Sequence, residues 1–259
     1  MVKYTKHSER KLSAGSYDLN KFLRGGYEKD IITTIYGPGA SGKSNFCMLV
    51  AVSQAKKGNK VIYLDTEGGF SSDRVRQLLG KNPTQQEQEK TLENILLLKP
   101  TTFEEQELEF GKLLKYVKNK TISLIIIDSI AMLYRLELGD AIKASQQQAK
   151  GDEKIKEVNR RLARQLKALN EIARKQNTSV IVTNQVYSDF LSDEERKQNL
   201  PRRVNMVGGD LLKYWSKTLI ELKQNRNKRT LILRKHRSLP EKQMDFDITN
   251  FGIKKKGLF

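Results

Sequence analysis

An eight-residue stretch near the start of the chain combines the residue types and the spacing that bind a nucleoside triphosphate. It reads Gly37-Pro38-Gly39-Ala40-Ser41-Gly42-Lys43-Ser44 and fits the pattern G-x-x-x-x-G-K-[ST]. Glycines let the backbone wrap around phosphate groups, so that successive N–H groups point at the phosphate oxygens. We therefore expect this loop to bind ATP, with Lys43 reaching the β- and γ-phosphates and Ser44 ligating Mg²⁺.

The segments on either side of this loop fit a strand–loop–helix unit. Residues 31–36 are rich in β-branched side chains, which is typical of a strand, and residues 45–52 form an apolar run that predicts a buried helix. The positive end of that helix would face the phosphates, and we count Asn45, at its start, with the binding segment. This context favours a phosphate-binding loop over the alternative, a glycine-rich turn without a ligand.

Three further apolar strands lead to polar residues, which are Glu67 after residues 60–65, Asp128 after residues 122–127 and Gln185 after residues 179–184. In open α/β sheets the carboxyl ends of the strands form the ligand-binding edge, so these side chains should surround the same loop. We expect Asp128 to hold Mg²⁺ through water and Glu67 to orient a water for attack on the γ-phosphate. Gln185 would hydrogen-bond the γ-phosphate or that water. A helix-capping role for Glu67 and a sheet-edge hydrogen bond for Gln185 are the alternatives.

The charge balance of the chain favours a polyanionic partner. Its 259 residues include 48 Lys and Arg against 30 Asp and Glu, a formal net charge of +18. Nucleic acid is the first partner that such an excess favours, ahead of an anionic membrane surface and of a basic surface that only aids solubility. DNA affinity should fall steeply as salt increases, because binding releases counterions.

The same composition argues against several other classes of protein. A single cysteine, Cys47, excludes an internal disulfide and suits a reducing cytoplasm, and two histidines leave few ligands for structural zinc. The sequence has no apolar run of bilayer length and no signal peptide at residues 1–7. We therefore expect a cytoplasmic protein that does not contact a membrane.

A long charged segment follows Gln185. Residues 187–209 lack periodicity, and they include four basic residues that we predict to bind DNA: Arg196, Lys197, Arg202 and Arg203. Loops of this length in compact domains are usually functional or disordered. Because the segment starts beside the predicted γ-phosphate contact, we expect ATP to order it for DNA binding. Single strands are favoured over duplex, since their bases are free to stack in a basic groove.

The rest of the chain predicts one large α/β domain. Residues 1–12 have the composition of a loose basic tail, and residues 13–259 that of a single core domain. Unbroken apolar strands indicate a twisted, mostly parallel sheet flanked by helices, and alternation after residue 218 indicates antiparallel strands at the C-terminal end. Residues 81–90 and 138–154 are predicted to be polar loops, whereas residues 153–173 carry a helical stripe of core side chains.

Several motifs in this order resemble the RecA/RadA recombinase superfamily of P-loop ATPases. Besides the P-loop they are Ser13-x-Gly15, Asp65-Thr66-Glu67-Gly68-Gly69-Phe70, the strand 124–129, Thr183-Asn184-Gln185-Val186 and Gly208-Gly209-Asp210. Within the superfamily the chain is most similar to a short archaeal paralogue of the main recombinase. The segments that carry this closer similarity are Tyr134-Arg135-Leu136-Glu137-Leu138, Arg164-Gln165-Leu166, Tyr214-Trp215-Ser216-Lys217 and residues 235–240. The resemblance covers nearly the whole chain and implies a RecA-type ATPase core.

The resemblance also implies roles for single residues. Glu67 corresponds to the family's catalytic glutamate, Gln185 to its γ-phosphate sensor and Arg74 to the arginine that stacks on adenine. Residues 138–151 and 187–209 correspond to its two central DNA-binding loops. The tripeptide Lys235-His236-Arg237 matches basic residues that reach the γ-phosphate bound to a neighbouring subunit, and a contact with DNA phosphates is the alternative.

Departures from the family determine the function that we expect. Only a short tail precedes Ser13, with no helical N-terminal DNA-binding domain and no Phe-x-x-Ala polymerisation element, which argues against strand-exchange filaments. We expect an ATP-binding, DNA-binding accessory protein of homologous recombination and DNA repair that assists a RadA-type recombinase and hydrolyses ATP weakly. A self-sufficient strand-exchange recombinase and a KaiC-like signalling ATPase are the alternatives. A homodimer or another small homo-oligomer is compatible with the sequence.

Overall fold

The computed structural model describes residues 10–119, 122–147, 151–188, 204–226 and 228–257. The helices are α1 (Tyr17–Phe22), α2 (Lys43–Ala55), α3 (Ser72–Leu79), α4 (Gln85–Leu92), α5 (Phe103–Asn119), α6 (Met132–Gln147), α7 (Gly151–Gln176) and α8 (Gly209–Trp215). The strands are β1 (Lys11–Leu12), β2 (Tyr27–Glu28), β3 (Ile32–Gly37), β4 (Lys60–Asp65), β5 (Ile95–Leu98), β6 (Ile122–Asp128), β7 (Ser179–Ser188), β8 (Val204–Met206), β9 (Ser216–Asn225), β10 (Lys228–Lys235), β11 (Lys242–Thr249) and β12 (Gly252–Lys255). None of the described helices is both long and apolar enough to span a bilayer.

One large sheet organises the described chain. Its strand order is β12-β11-β10-β9-β3-β7-β6-β4-β5, and β8 pairs with β7 beside this path. The six strands from β9 to β5 in this order run parallel, whereas β9, β10, β11 and β12 pair antiparallel. The predicted α/β class, with a mostly parallel sheet and antiparallel strands at the C-terminal end, is therefore confirmed.

The central strands are covered on both faces, which explains their unbroken apolar sequences. In β6, Leu124 and Ile126 pack in the cluster that contains α2, whereas Ile125 and Ile127 pack in the cluster formed with α5, α6 and α7. All four side chains are fully buried, and each contributes about 1.5–3 kcal/mol by leaving water. The predicted stripe along α7 also lies in the second cluster, so its assignment to core packing is confirmed.

The described part of the chain begins before the predicted end of the tail. Lys11 and Leu12 pair antiparallel with β2, and Leu12 is buried at 5% exposure. Gly26 adopts φ +117°, and a Cβ at this position would overlap the carbonyl oxygen of Leu12. The prediction of a loose segment is thus wrong for Lys11 and Leu12, because a buried leucine and a close backbone contact hold β1. Residues 1–9 lie outside the described residues, and the division into a tail and one core domain stays a prediction.

Two segments predicted as loops are helical. Thr84 and Glu87 form a capping box in which each side chain accepts from the backbone of the other, and α4 follows. The T-x-x-E signal was present in the sequence but lacked an apolar stripe to support it. Helix α6 extends to Gln147, and packing against α7 stabilises it. Arg161 on α7 donates to Glu137 on α6 at 3.1 Å. Residues 148–150 lie outside the described residues.

The strand–loop–helix unit predicted around residues 37–44 is formed by β3 and α2, and it depends on one close approach. A Cβ on Gly37 would overlap the carbonyl oxygen of Leu222 in the neighbouring strand β9. Gly39, in the same loop, has no atom within 4 Å of the corresponding position. Gly37 is therefore required by packing between two strands, whereas Gly39 is not.

Replacing Leu12 by Ala tests whether β1 is part of the folded core. We expect a loss of about 2 kcal/mol or more in the free energy of unfolding, because a buried leucine leaves a cavity. Denaturant titration measures this loss. The matched control is Leu108→Ala at a position 59% exposed, which should change stability by no more than about 0.5 kcal/mol. Equal values for the two variants would show that residues 11 and 12 are loosely held.

Replacing either loop glycine by Ala tests the close approach of β3 and β9. Gly37→Ala should lower the free energy of unfolding by about 2 kcal/mol, because a backbone carbonyl must move to make room. Gly39→Ala, the same change two residues away, should stay within about 0.5 kcal/mol. Thermal and denaturant unfolding without nucleotide measure both, and a Gly37→Ala variant of unchanged stability would contradict the close contact.

Candidate functional site

The loop between β3 and α2 holds its lysine against its own backbone. Lys43 is 7% exposed, and its Nζ donates to the carbonyl oxygens of Gly37 at 3.0 Å and Pro38 at 2.9 Å. Burial lowers the pKa of Lys43, and the nearby carboxylates of Glu67 and Asp128 partly offset this effect. An ammonium group in this position lacks a fully compensating anion, which a polyphosphate would supply.

Other polar groups of the loop also fit a phosphate ligand. The hydroxyl of Ser41 is buried and has no hydrogen-bond partner among the described residues. Gly42 adopts φ +106° as the N-cap residue of α2, which leaves the helix N-terminus without a side-chain cap. The Oγ of Ser44 lies 3.5 Å from the point that a Cβ on Gly69 would occupy. The loop residues therefore lie beside the turn after β4, and the loop offers donors that a phosphate could accept from.

Asp128 is positioned for a metal by two hydroxyl groups. It is 2% exposed, its Oδ2 accepts from the Tyr63 hydroxyl at 2.8 Å, and its Oδ1 accepts from the Thr183 hydroxyl. Burial, followed by the charge of Asp128, raises the pKa of Tyr63 well above its usual value, so the phenol stays protonated and donates. The described residues contain no cluster of three metal-ligating side chains. Mg²⁺ at this site would therefore use Ser44, Asp128 and oxygens of the nucleotide or water.

Glu67 and Gln185 meet across the sheet edge. The Nε2 of Gln185 donates to Oε1 of Glu67 at 3.0 Å, although 118 residues separate them. Partial burial and then repulsion from Asp128 raise the pKa of Glu67 above its ordinary value of 4.5, even though the residue as a whole is exposed. A carboxylate with a raised pKa is a better proton acceptor from water, as the predicted role of Glu67 requires.

Asp65 shapes the turn that presents Glu67, a role that the sequence analysis missed. Its Oδ1 accepts from the backbone N–H groups of Glu67 at 3.3 Å and Gly69 at 3.1 Å, and its Oδ2 accepts from Phe70 N–H at 2.9 Å. The signal was an aspartate at a strand end before two glycines, which is a sequence suited to an Asx-type turn.

Gln185 also lies at the base of a two-stranded ribbon. Strand β8 pairs antiparallel with the end of β7, and the backbone oxygen of Gln185 accepts from Val207 N–H at 3.3 Å. The adjacent Asn184, fully buried, donates from Nδ2 to the Val207 carbonyl at 2.7 Å. Residues 189–203 follow β7 and precede β8 in the sequence and lie outside the described residues, and with them the four predicted DNA-binding residues Arg196, Lys197, Arg202 and Arg203.

Arg74 lies beside the β11–β12 turn. Its guanidinium group donates to the carbonyl oxygens of Thr249 at 2.9 Å and Asn250 at 3.2 Å, and to Oε1 of Gln77 at 2.7 Å. These three acceptors fix the orientation of the guanidinium plane. The stacking of Arg74 on adenine stays a prediction.

The tripeptide 235–237 lies at the end of the sheet where the parallel strands begin, whereas the P-loop lies where they end. Strand β10 runs antiparallel to β9, so it ends where β3 begins. There Arg237 donates to Asp30 at 2.8 Å and to Glu28 at 3.3 Å, and the ring of His236 lies 3.5 Å from Glu28. These residues therefore cannot reach the nucleotide of their own chain, and the contacts predicted with a neighbouring subunit or with DNA stay predictions.

Comparison with known proteins supports the resemblance found in the motifs. The Rad51 family model matches residues 6–256. A protein of Methanobrevibacter smithii named "DNA repair and recombination protein RadB" is 38% identical over 240 residues, which cover 91% of this chain and 92% of the relative. Relatives of the same name from Methanosphaera stadtmanae and Methanocaldococcus jannaschii are each 36% identical, covering 95% and 91% of this chain and 97% and 98% of their own lengths.

The matched region includes every element of the candidate site, from the P-loop to the β11–β12 turn. The identity exceeds 30% along nearly the full length of both partners in these comparisons. The chain therefore belongs to the Rad51 family of the RecA superfamily, within which it groups with the archaeal RadB proteins.

Proposed function

We propose that this chain is an ATP-regulated, DNA-binding accessory protein of homologous recombination and DNA repair. In this role it assists a RadA-type recombinase and hydrolyses ATP slowly. Membership of the Rad51 family and the names of the RadB relatives support the recombination role. The fit of the loop residues to a polyphosphate supports the use of ATP. A cytoplasmic location and a small homo-oligomeric state stay predictions.

One observation carries the regulatory part of this proposal. Gln185 bonds Glu67 through its side chain and Val207 through its backbone, so a single residue joins the nucleotide edge to the base of the β7–β8 ribbon. A γ-phosphate competes with Glu67 for the Gln185 amide, and a shift of that amide moves the ribbon. Nucleotide state thereby reaches the β7–β8 ribbon, which is continuous in sequence with the predicted DNA-binding residues.

The side chains around the loop divide the work of binding and hydrolysis. ATP with Mg²⁺ would supply the transferable γ-phosphoryl group. Lys43 would bind its phosphates, Ser44 and Asp128 would hold the Mg²⁺, and Glu67 would accept a proton from the attacking water; Asp128 is held in place by its two hydroxyl donors. Arg74, held by the β11–β12 turn, offers a flat cationic surface for the adenine ring.

The alternatives give different assemblies and substrates. A self-sufficient strand-exchange recombinase would form filaments on DNA with ATP, which electron microscopy detects. A KaiC-like signalling ATPase would form hexamers, phosphorylate itself and bind DNA weakly. The net charge of +18 favours the DNA-binding alternatives over the signalling one.

Lys43→Ala separates nucleotide dependence from DNA affinity. We expect the variant to lose every effect of ATP on DNA binding, because the P-loop no longer holds the phosphates, while salt-sensitive DNA binding persists. Titration of single- and double-stranded DNA with and without ATP, at two salt concentrations, measures both properties. Equal loss of ATP response and of DNA affinity would argue against separate sites.

Glu67→Gln separates hydrolysis from regulation. Glutamine keeps an oxygen that accepts from Gln185 but cannot take a proton from water, so hydrolysis should fall by about 100-fold or more while ATP-dependent DNA binding persists. In the unmodified protein the raised pKa of Glu67 should place the acidic limb of the rate profile at higher pH than an ordinary glutamate would. Phosphate release assays across pH measure both effects, and a variant with normal turnover would exclude Glu67 as the proton acceptor.

A further inference from the structure

The hydroxyl group of Thr66 joins two turns that meet at the candidate site. Thr66 follows β4 and precedes Glu67, whereas Ser129 follows Asp128 at the end of β6. The backbone N–H of Ser129 donates to Thr66 Oγ1 at 2.8 Å, and the same hydroxyl donates to the Ser129 carbonyl oxygen at 2.8 Å. Thr66 and Ser129 are 8% and 1% exposed. One buried side chain therefore holds both backbone polar groups of the residue after Asp128.

This contact begins where the backbone pairing of the two strands ends. The last paired residues of β4 and β6 are Asp65 and Asp128, and the Thr66 N–H then donates to the Asp128 carbonyl oxygen at 2.9 Å. Beyond this point the chain leads from β4 to α3 and from β6 to α6. The Thr66 hydroxyl therefore extends the connection between the strands up to the residue that precedes Glu67.

The side chain of Ser129 continues this link toward the Glu67 carboxylate. Burial and then the charge of Asp128 raise the pKa of Glu67. Hydrogen bonds to its carboxylate from Gln185 and from Ser129 oppose that rise in pKa. The Oγ of Ser129 also accepts from the Ala131 N–H at 3.4 Å, at the start of the turn that leads to α6. Glu67 is thereby tied to β6 through Ser129 as well as to β7 through Gln185.

The chemistry of this contact requires a hydroxyl group at residue 66. A hydroxyl accepts one hydrogen bond and donates another at the same time, which the isosteric side chain of valine cannot do. Valine would leave the N–H and the carbonyl group of Ser129 without this partner, and such groups are costly when they are buried. Serine would keep both hydrogen bonds and remove only the methyl group. The two replacements therefore separate hydrogen bonding from packing.

We propose that Thr66 is a positioning residue for nucleotide hydrolysis. Its hydroxyl fixes the separation between Glu67, the proposed proton acceptor, and Asp128, the proposed ligand of Mg²⁺. Thr66 acts through these two residues, since its own hydroxyl is occupied by Ser129. Removal of a partner that orients a metal ligand typically costs about 10–100-fold in metal affinity or activity. This inference rests on the proposed use of ATP and Mg²⁺.

The test measures the affinity for a fluorescent ATP analogue with Mg²⁺ and with EDTA, together with phosphate release from ATP in a single turnover. In the unmodified protein Mg²⁺ should tighten binding. Thr66→Val should abolish most of this Mg²⁺ effect and slow phosphate release by about tenfold or more, because Asp128 and Glu67 lose their common support. The affinity in EDTA should stay unchanged, since Thr66 lies outside the P-loop.

Two control variants separate positioning from a general loss of stability. Thr66→Ser should match the unmodified protein in the Mg²⁺ effect and in phosphate release. Thr178→Val removes a hydroxyl at a position 1% exposed, which donates to the Ile122 carbonyl oxygen at 3.0 Å at the other end of β6. This variant should unfold at a lower temperature and keep both the Mg²⁺ effect and the rate. Loss of the Mg²⁺ effect in Thr178→Val would contradict a specific role for Thr66.

The outcomes distinguish this inference from the function on which it rests. A normal Mg²⁺ effect and a normal rate in Thr66→Val overturn the inference and leave the proposed ATP site intact. Failure of the unmodified protein to bind nucleotide overturns both. If the unmodified protein shows only the Mg²⁺ effect or only phosphate release, that property alone decides the role of Thr66. If Thr66→Val fails to fold by circular dichroism, Thr66→Ala against Thr66→Ser decides, because both lack the methyl group and only serine keeps the hydroxyl.

Discussion

The site depends on the register of the parallel strands at one edge of the sheet. Gly37 on β3 is opposite Gln185 on β7, and Asp65 on β4 is opposite Asp128 on β6. A slip of one residue would turn Gln185 to the other face and separate it from Glu67. The hydrophobic layers on both faces prevent such a slip, because each strand would then expose its buried set. Core packing thus fixes the distance between Gln185 and Glu67, and this is the contact through which nucleotide is proposed to act on the ribbon.

Hydrogen bonds to buried carboxylates keep the edge rigid. Asp128 has a hydroxyl donor on each oxygen, and Asp65 accepts three backbone N–H groups. Such partners make a buried carboxylate tolerable and hold it in one orientation. In contrast, Lys43 and Glu67 have pKa values displaced toward their neutral forms, because burial outweighs their mutual attraction. Asp65 and Asp128 therefore position the site, whereas Lys43 and Glu67, whose burial is not fully compensated, are expected to respond to a ligand.

The two ends of the parallel strands carry different functional groups. The end that carries the P-loop gathers the predicted nucleotide residues and the base of the ribbon. The opposite end holds the tripeptide 235–237 in ion pairs with Glu28 and Asp30. The spacing of residues in the sequence could not show at which end of the sheet the tripeptide lies, because the antiparallel direction of β10 decides this. A contact between that end and a nucleotide would therefore require a second copy of the chain.

The sequence by itself determined the P-loop motif, the positions of the central strands along the chain, the buried stripe of α7 and the family. Each of these rests on a local pattern or on a motif that any member of the fold must keep. It failed for Leu12, for α4 and for the length of α6, because a buried side chain, a capping box without an apolar stripe and helix–helix ion pairs decided those segments. Only the tertiary structure brought Gln185 to Glu67 and joined the backbone of Gln185 to Val207. These contacts join residues that are far apart in the chain, and packing of the sheet alone sets their separation.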